Sequence, residues 1–543
     1  MAGGACLDAA GSPPDDAGRA GEAARAERLT RDEAAQARAE AWAAFVARVR
    51  PACEAEIAAG AVERGGVRMP FAWSERGAAP PDGRSLWISL HGGGGAPPRV
   101  NDQQWENQKR LYAPAEGIYV APRAPGNEWN LWHQAPVDAL LDGLITDMVV
   151  ARGVNPDRVH ILGYSAGGDG VYQLAPRMAD RWAAAAMMAG HPNDARPDGL
   201  RNIGFTLHVG ADDSAFNRNG VAREWERALA ALAAADPGGY AHWVHVHPGK
   251  GHWMDREDAE ALPWMARFTR DLRPARVVWV QDDVTHPRSY WLAVDDPRAG
   301  ARIVAEREGQ VVRLVEAPAG TTVRIRLDDS MLDLDRPVRV VHGERVLFEG
   351  VVPRERRVIE RTLAERGDPR GVFVAEVEVR VPRAAPLPDA WLGRWSGAVE
   401  VLGADGAREG FAMELRIEPL GREDECTWTI VYDGAAGRQE RPYRLVDRDG
   451  DAGRLAIDER NGIVLPARLL AHTLYSEFAV EGSRVAVRYE LVDGGTERAT
   501  IRVEMATTRE EGAERTGGGD VPEVRGWTPQ VVQRATLRRG AAP

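Results

Sequence analysis

Between residues 67 and 272, short apolar runs alternate with amphipathic helical ones, and this alternation most narrows what the chain can fold into. The runs SLWISLH, GIYVAP, RVHILG, AAAAMMAG, GFTLHVG and AHWVHVHPG read as strands, each followed by a loop. Among them, PVDALLDGLITDMVVARG and NGVAREWERALAALAAAD carry apolar residues at helical spacing. Apolar strands covered on both faces by helices form a mostly parallel sheet, so the expected class is α/β. A further helix is expected from RLTRDEAAQARAEAWAAFVARVRP onward, with Thr30 as N-cap, Glu33 at capping-box spacing and Pro51 to kink or stop it.

The texture changes after residue 273. Runs such as RVVWVQ, ARIVAE, QVVRLVE, TTVRIRL and VFVAEVEVRV predict a β-rich, sandwich-like module over 274–385. The proline-rich PRAAPLPDA marks a second boundary, and 386–543 is β-rich again, with turns at GADGARE, YDGAAGRQ, RDGDAG and VDGGTE. REEGAERTGGGD reads there as a long polar loop. The expected organisation is therefore a disordered leader over 1–26, an α/β domain with its N-terminal helix over 27–273, and the two β-rich modules. In the last, G-x-W at 393–395 resembles the opening of a lipocalin-type barrel, whose tryptophan plugs one end and whose interior can hold a small apolar ligand.

Composition removes several function classes. At 543 residues the chain exceeds a single core. A net charge of −12 disfavours nucleic acid or an anionic membrane surface as partner. No apolar run approaches the ~20 residues of a membrane span. Cys6, Cys53 and Cys426 are odd in number and far apart, which fits neither a disulfide framework nor zinc-ligand spacing. The start lacks the apolar core of a signal peptide, so the default expectation is cytoplasmic. GGAC before an Ala/Gly/Pro stretch resembles the end of a lipoprotein signal, and a start lying further upstream would make export or lipid anchoring the expectation.

Three segments carry chemistry. G-Y-S-A-G, residues 163–167, follows a strand and precedes a helix; such a turn lifts Ser165 clear of the sheet and needs small neighbours. LHGGGGAPP, residues 90–98, ends another strand, and its glycines allow backbone N–H groups to approach a developing negative charge. The expected donors are the N–H of Ala166 and that of Gly93 or Gly94. GADD ends a third strand with Asp212 and Asp213, and GKGH places His252 after a fourth. An imidazole can take the serine proton while a carboxylate fixes its tautomer. Adjacent residues at a strand end point apart, so one aspartate faces His252; the offset from Gly210 favours Asp213, with Asp212 as the alternative acid.

These segments together resemble α/β-hydrolase esterases of the polyhydroxybutyrate-depolymerase and feruloyl-esterase-like group, which shades into prolyl-oligopeptidase-type hydrolases. The resemblance covers less than half of the chain. It implies an acyl-enzyme mechanism with Ser165 as nucleophile, His252 as base and Asp213 as acid, no cofactor or metal, and a small or polymeric ester as substrate. A peptidase with the same triad is the alternative activity, and a binding protein with a vestigial triad the alternative class. His242, His245 and His247 read as core or loop histidines, since no carboxylate or cysteine stands near them at ligand spacing. Trp105, Trp129 and Trp132 are candidates to wall the substrate pocket. Asp138, Asp142 and Asp169 read as helix-terminal or surface charges.

Overall fold

The alternation over 67–272 becomes an eight-stranded sheet. A computed structural model describes residues 28–382, 386–420, 424–435, 437–448, 453–509, 514–518 and 521–540; the expected leader and Cys6 lie outside them. The strands are Ala61–Arg64 (β1), Val67–Arg76 (β2), Arg84–Leu90 (β3), Gly117–Pro122 (β4), Val154–Tyr164 (β5), Ala184–Met188 (β6), Gly204–Gly210 (β7) and His242–His247 (β8). Their spatial order is β1-β2-β4-β3-β5-β6-β7-β8. The six strands from β4 to β8 run parallel, and β1 and β2 form an antiparallel edge. Parallel neighbours need crossovers, supplied mainly by helices Pro98–Gln108 (α2), Ala135–Arg152 (α3), Ala166–Arg177 (α4) and Arg218–Ala235 (α5).

Arg31–Ala59 (α1) has the expected capping box: Thr30 Oγ1 accepts from Glu33 N–H (3.3 Å) and Glu33 Oε2 accepts from Thr30 N–H (2.8 Å). Pro51 does not stop it. The helix continues to Gly60, which closes it at φ +60°. Pro51 and Ala47, whose carbonyl loses its helical partner, are exposed, so water satisfies the freed group.

Beyond residue 275, two sheets form. One has five strands in the order Arg276–Val280, Arg302–Glu308, Val311–Glu316, Val338–His342, Arg345–Gly350; the other has four, Arg288–Ser289, Leu292–Val294, Thr322–Leu327, Ala375–Arg380. The helix Arg356–Arg366, not foreseen in this β-rich stretch, buries Val358, Ile359, Thr362 and Leu363 on one stripe. The chain divides into two compact units, one ending at Val381 and one spanning Pro382–Pro543. Within the first, the α/β sheet and both β sheets share one hydrophobic cluster.

Charges are buried where the α/β part meets the β sheets. Arg270 donates to Asp157 (2.9 Å) and Asp368 (2.8 Å). Arg366 pairs with Asp180, and Arg181 donates to Arg366 O at 2.9 Å. Burial opposes ionisation of Asp180, but the Arg366 guanidinium outweighs it and holds the carboxyl below its usual range. Asp138 and Asp142 belong to the same seam. Asp138 is buried between Arg177 and His286 (2.7 Å each), and Asp142 pairs with Arg181. Asp138, in the first turn of α3 as a helix-terminal residue, is thus a buried, paired carboxyl and not a surface one.

The second unit is a closed antiparallel barrel of ten strands, from Gly393–Gly403 to Pro529–Arg539, the last pairing with the first. A lipocalin barrel has eight, so the G-x-W signal marks the opening strand but not the strand count. Trp395 is fully buried and its indole N–H donates to Trp391 O at 2.8 Å. The cavity between Val399, Met413, Tyr432 and Tyr489 measures about 20 Å³, room for little more than one water, so an apolar ligand there must displace side chains. Part of the expected polar loop is ordered as a hairpin of Glu514–Gly518 with Val521–Gly526. Among the described residues no helix is long and apolar enough to cross a membrane, and Cys53 and Cys426 are unpaired and buried.

Arg270→Ala leaves Asp157 and Asp368 without their shared cation. Its expected cost in urea unfolding is about 3–5 kcal/mol. A chain cut near residue 275 keeps Ser165, Asp213 and His252 but loses Arg366 and Asp368, and is expected to be insoluble or to unfold without cooperativity. A soluble, cooperatively folded truncate contradicts this account of the seam.

Candidate active site

β5 ends at Tyr164 and α4 begins at Ala166; Ser165 alone makes the turn, at φ 57° and ψ −122°. Positive φ in a non-glycine residue costs about 1–3 kcal/mol and persists only where the surroundings enforce it. Here Ser165 N–H donates to Met188 O (2.9 Å) and Ser165 O accepts from Asp169 N–H (3.0 Å). The flanking glycines are required by contact. A Cβ on Gly163 would lie 2.2 Å from Gly167 O, and one on Gly167 would lie 2.2 Å from Leu90 O.

β7 and β8 deliver the other two groups. His252 Nδ1 lies 2.8 Å from Asp213 Oδ2, and Nε2 lies 3.0 Å from Ser165 Oγ. An ionised carboxylate only accepts, so the imidazole proton sits on Nδ1 and Nε2 offers its lone pair to the serine hydroxyl. Asp213 is 3% exposed and also receives Arg218 Nη1 at 3.4 Å. Asp212 is exposed and engages the loop through its backbone, donating N–H to Lys250 O at 2.8 Å. The Tyr164 hydroxyl donates to His252 O (2.5 Å) and accepts from Met254 N–H (3.2 Å), so the residue before the serine fastens the histidine loop.

The glycine loop after β3 is set by two side chains. His91 is fully buried; its Nδ1 donates to Gly92 O (2.6 Å) and its Nε2 accepts from Ala124 N–H (3.1 Å). Burial lowers its pKa to about 4, so it stays neutral. Holding Gly92 O also aims the opposite side of the planar peptide, the N–H of Gly93. Gly94 N–H is occupied, donating to Asn101 Oδ1 at 2.8 Å. Of the two glycines expected as donors, Gly93 therefore remains, together with Ala166.

A cleft of about 610 Å³ opens over Ser165, within the size range of ligand pockets. Its walls include Gly92, Gly93, Gln104, Arg110, Leu111, Tyr164, Trp253 and Arg256. The three tryptophans singled out from the sequence do not line it. Trp132 is buried behind the glycine loop and donates to His91 O (2.9 Å); Trp105 donates to Ala121 O (2.9 Å); Trp129 is 60% exposed beside Gly95. Trp253 does line the cleft, and its signal was adjacency to His252. His242 Nδ1 bonds Tyr240 O at 2.8 Å. His245 and His247 have partners that spacing along the chain did not reveal, His208 from the neighbouring strand and Glu260 from beyond the next loop.

The strand order and the serine turn are those of an α/β-hydrolase-like fold. No protein-family model matches the chain. NocK of Nocardia uniformis subsp. tsuyamanensis, an esterase by name, is 29% identical over 167 residues, covering 28% of this chain and 47% of NocK, so the match spans about half the length of that relative. Among solved structures, a thermostable esterase is 17% identical over 39% of this chain and 62% of its own, with a TM-score of 0.29. Esterase PE8 is 21% identical (36% of this chain, 96% of its own, TM-score 0.26). LpqC, a poly(3-hydroxybutyrate) depolymerase from Bordetella parapertussis, is 19% identical (37% and 90%, TM-score 0.26).

Asp169, in the first turn of α4, accepts His191 N–H at 2.6 Å, and burial raises its pKa to about 6. A carboxyl whose folded pKa is raised binds its proton more tightly when folded. Stability is therefore lost as pH rises from the unfolded value of about 4 toward 6. Asp169→Asn removes this slope. Its melting temperature should exceed that of the wild type by a margin that grows between pH 4 and pH 7; a pH-independent difference contradicts the reading.

Proposed function

We propose that the protein is a serine hydrolase that cleaves carboxylic esters through an acyl-enzyme. The observation that carries this is the continuous hydrogen-bond relay Asp213–His252–Ser165, with the serine on a strained turn at the floor of a cleft. Ser165 Oγ attacks the ester carbonyl as its proton passes to His252 Nε2. The tetrahedral oxyanion is met by the N–H groups of Ala166 and Gly93. His252 then returns the proton to the departing alcohol; water, deprotonated by the same nitrogen, attacks the acyl-serine, and His252 passes that proton to Ser165 Oγ as the acid leaves. Asp213 remains ionised, orienting the imidazole and stabilising its charged form. The names of the relatives, esterases for the most part, support ester over peptide as substrate.

The cleft supports a polar substrate. Arg110 and Arg256 on its wall form no ion pair among the described residues, and Gln104 adds an amide. Esters carrying a carboxylate or several hydroxyls suit this wall better than long alkyl chains do.

A panel of p-nitrophenyl, feruloyl and carboxylate-bearing esters with peptide amides tests the assignment. Ser165→Ala should lower kcat by about 10⁶ with the fold intact. Asp213→Asn should lower it by roughly 10⁴ by favouring the wrong tautomer, as the analogous change does in a serine protease, while Asp212→Asn costs far less. The reverse ranking makes Asp212 the acid, and faster turnover of peptides than esters makes the protein a peptidase.

A further inference from the structure

His208, His245, His247 and Glu260 each offer one ligand-type atom, and all four atoms lie within 4.8 Å of one another. His208 lies on β7 in register beside His245 on β8, and His247, two residues on, shares the face of His245. Glu260 comes from the short turn Glu257–Glu260 that follows the His252 loop. We infer that this cluster is a structural site for one divalent transition-metal cation, zinc above others, held by three imidazoles and a carboxylate. The site is independent of the proposed ester chemistry.

Hydrogen bonding sets the tautomers that a metal needs. Thr206 Oγ1 gives its only proton to Trp243 O (2.8 Å), so at 3.0 Å from His208 Nε2 it must accept. His208 therefore carries its proton on Nε2 and turns the Nδ1 lone pair into the cluster. His247 Nδ1 faces Glu257 Oε2 at 3.7 Å, too far for a hydrogen bond, and its Nε2 faces His208 Nδ1. Those two nitrogens stand 3.1 Å apart. At this distance the His208 lone pair meets either the Nε2 proton of a neutral His247 or a cation held by both rings.

The spacing suits a small cation. Glu260 Oε1 lies 3.8 Å from His208 Nδ1 and 3.9 Å from His247 Nε2, and also contacts His245 Nδ1. Ligands on a tetrahedral zinc at 2.0–2.1 Å are about 3.3 Å apart, so no pair of these atoms needs to change its separation by more than about 1.5 Å to complete the sphere. Imidazole donors favour zinc over calcium or magnesium. Thr206 supplies the outer hydrogen bond that metal-bound histidines require. The same two strands carry Asp213 and His252 beyond their ends, so the cation would staple the far end of the His252 loop to the sheet.

The test uses the full chain after dialysis against EDTA. Zinc is titrated in competition with a chromophoric chelator, and cobalt(II) reports geometry through its visible d–d absorption. One zinc per chain and a four-coordinate cobalt spectrum are expected from the wild type, with a melting temperature raised by zinc. Glu260→Gln and His245→Gln, both at partly exposed positions, should bind at least ~100-fold more weakly, and Thr206→Val about 10–100-fold more weakly. Substoichiometric wild-type binding, or unchanged affinity in both ligand variants, overturns the site and leaves only an ion pair between His245 and Glu260. Wild-type stoichiometry and the cobalt spectrum decide this without any variant having to fold.

Discussion

The imidazole of His252 joins groups delivered by three strand ends: Ser165 after β5, Asp213 after β7, and its own loop after β8. Contacts at 2.8 and 3.0 Å leave little slack, so the parallel sheet must hold those strand ends in fixed relation. Much of the surrounding structure has this effect. Gly210 lets the His252 loop approach so closely that a Cβ there would lie 2.1 Å from Gly251 O. Tyr164 ties the loop back to the serine turn, and Lys250 joins it through pairs with Asp255 and Glu257. A relay of this kind needs preorganisation because its value lies in positions set before substrate arrives.

Holding Ser165 at positive φ costs energy that the rest of the first unit must offset. The shared hydrophobic cluster supplies most of it, running from the central sheet into the two β sheets beyond residue 275. The buried seam of Arg181, Arg270 and Arg366 with Asp157, Asp180 and Asp368 adds specificity of docking more than net stability. Desolvation consumes most of the Coulombic gain in such pairs, yet losing one partner strands the other. The α/β part therefore depends on sheets that contribute no group to the proposed relay.

Local signals made the candidate site legible in the sequence. GYSAGG, GADD and GKGH each sit directly after an apolar run, so strand ends and chemistry could be read together. Asp213 over Asp212 followed from alternation and the offset from Gly210, and the structure buries Asp213 and exposes Asp212. Long-range features were not legible. Trp132 packs behind the glycine loop because its indole finds His91 O, a partner forty-one positions away. The His208 and Glu260 partners of His245 and His247 come from another strand and another loop. The barrel's ten strands depend on pairings between distant hairpins that a motif at 393–395 cannot encode.

The proposed chemistry requires Ser165 to be a nucleophile activated by His252 and Asp213. The most direct measurement is labelling of the full chain with a fluorophosphonate probe, with the modified residue located by peptide mass spectrometry. Stoichiometric labelling at Ser165 alone is expected, lost in His252→Ala while the protein remains folded. No labelling of folded wild-type protein, or labelling at a different serine that survives Ser165→Ala, would contradict it.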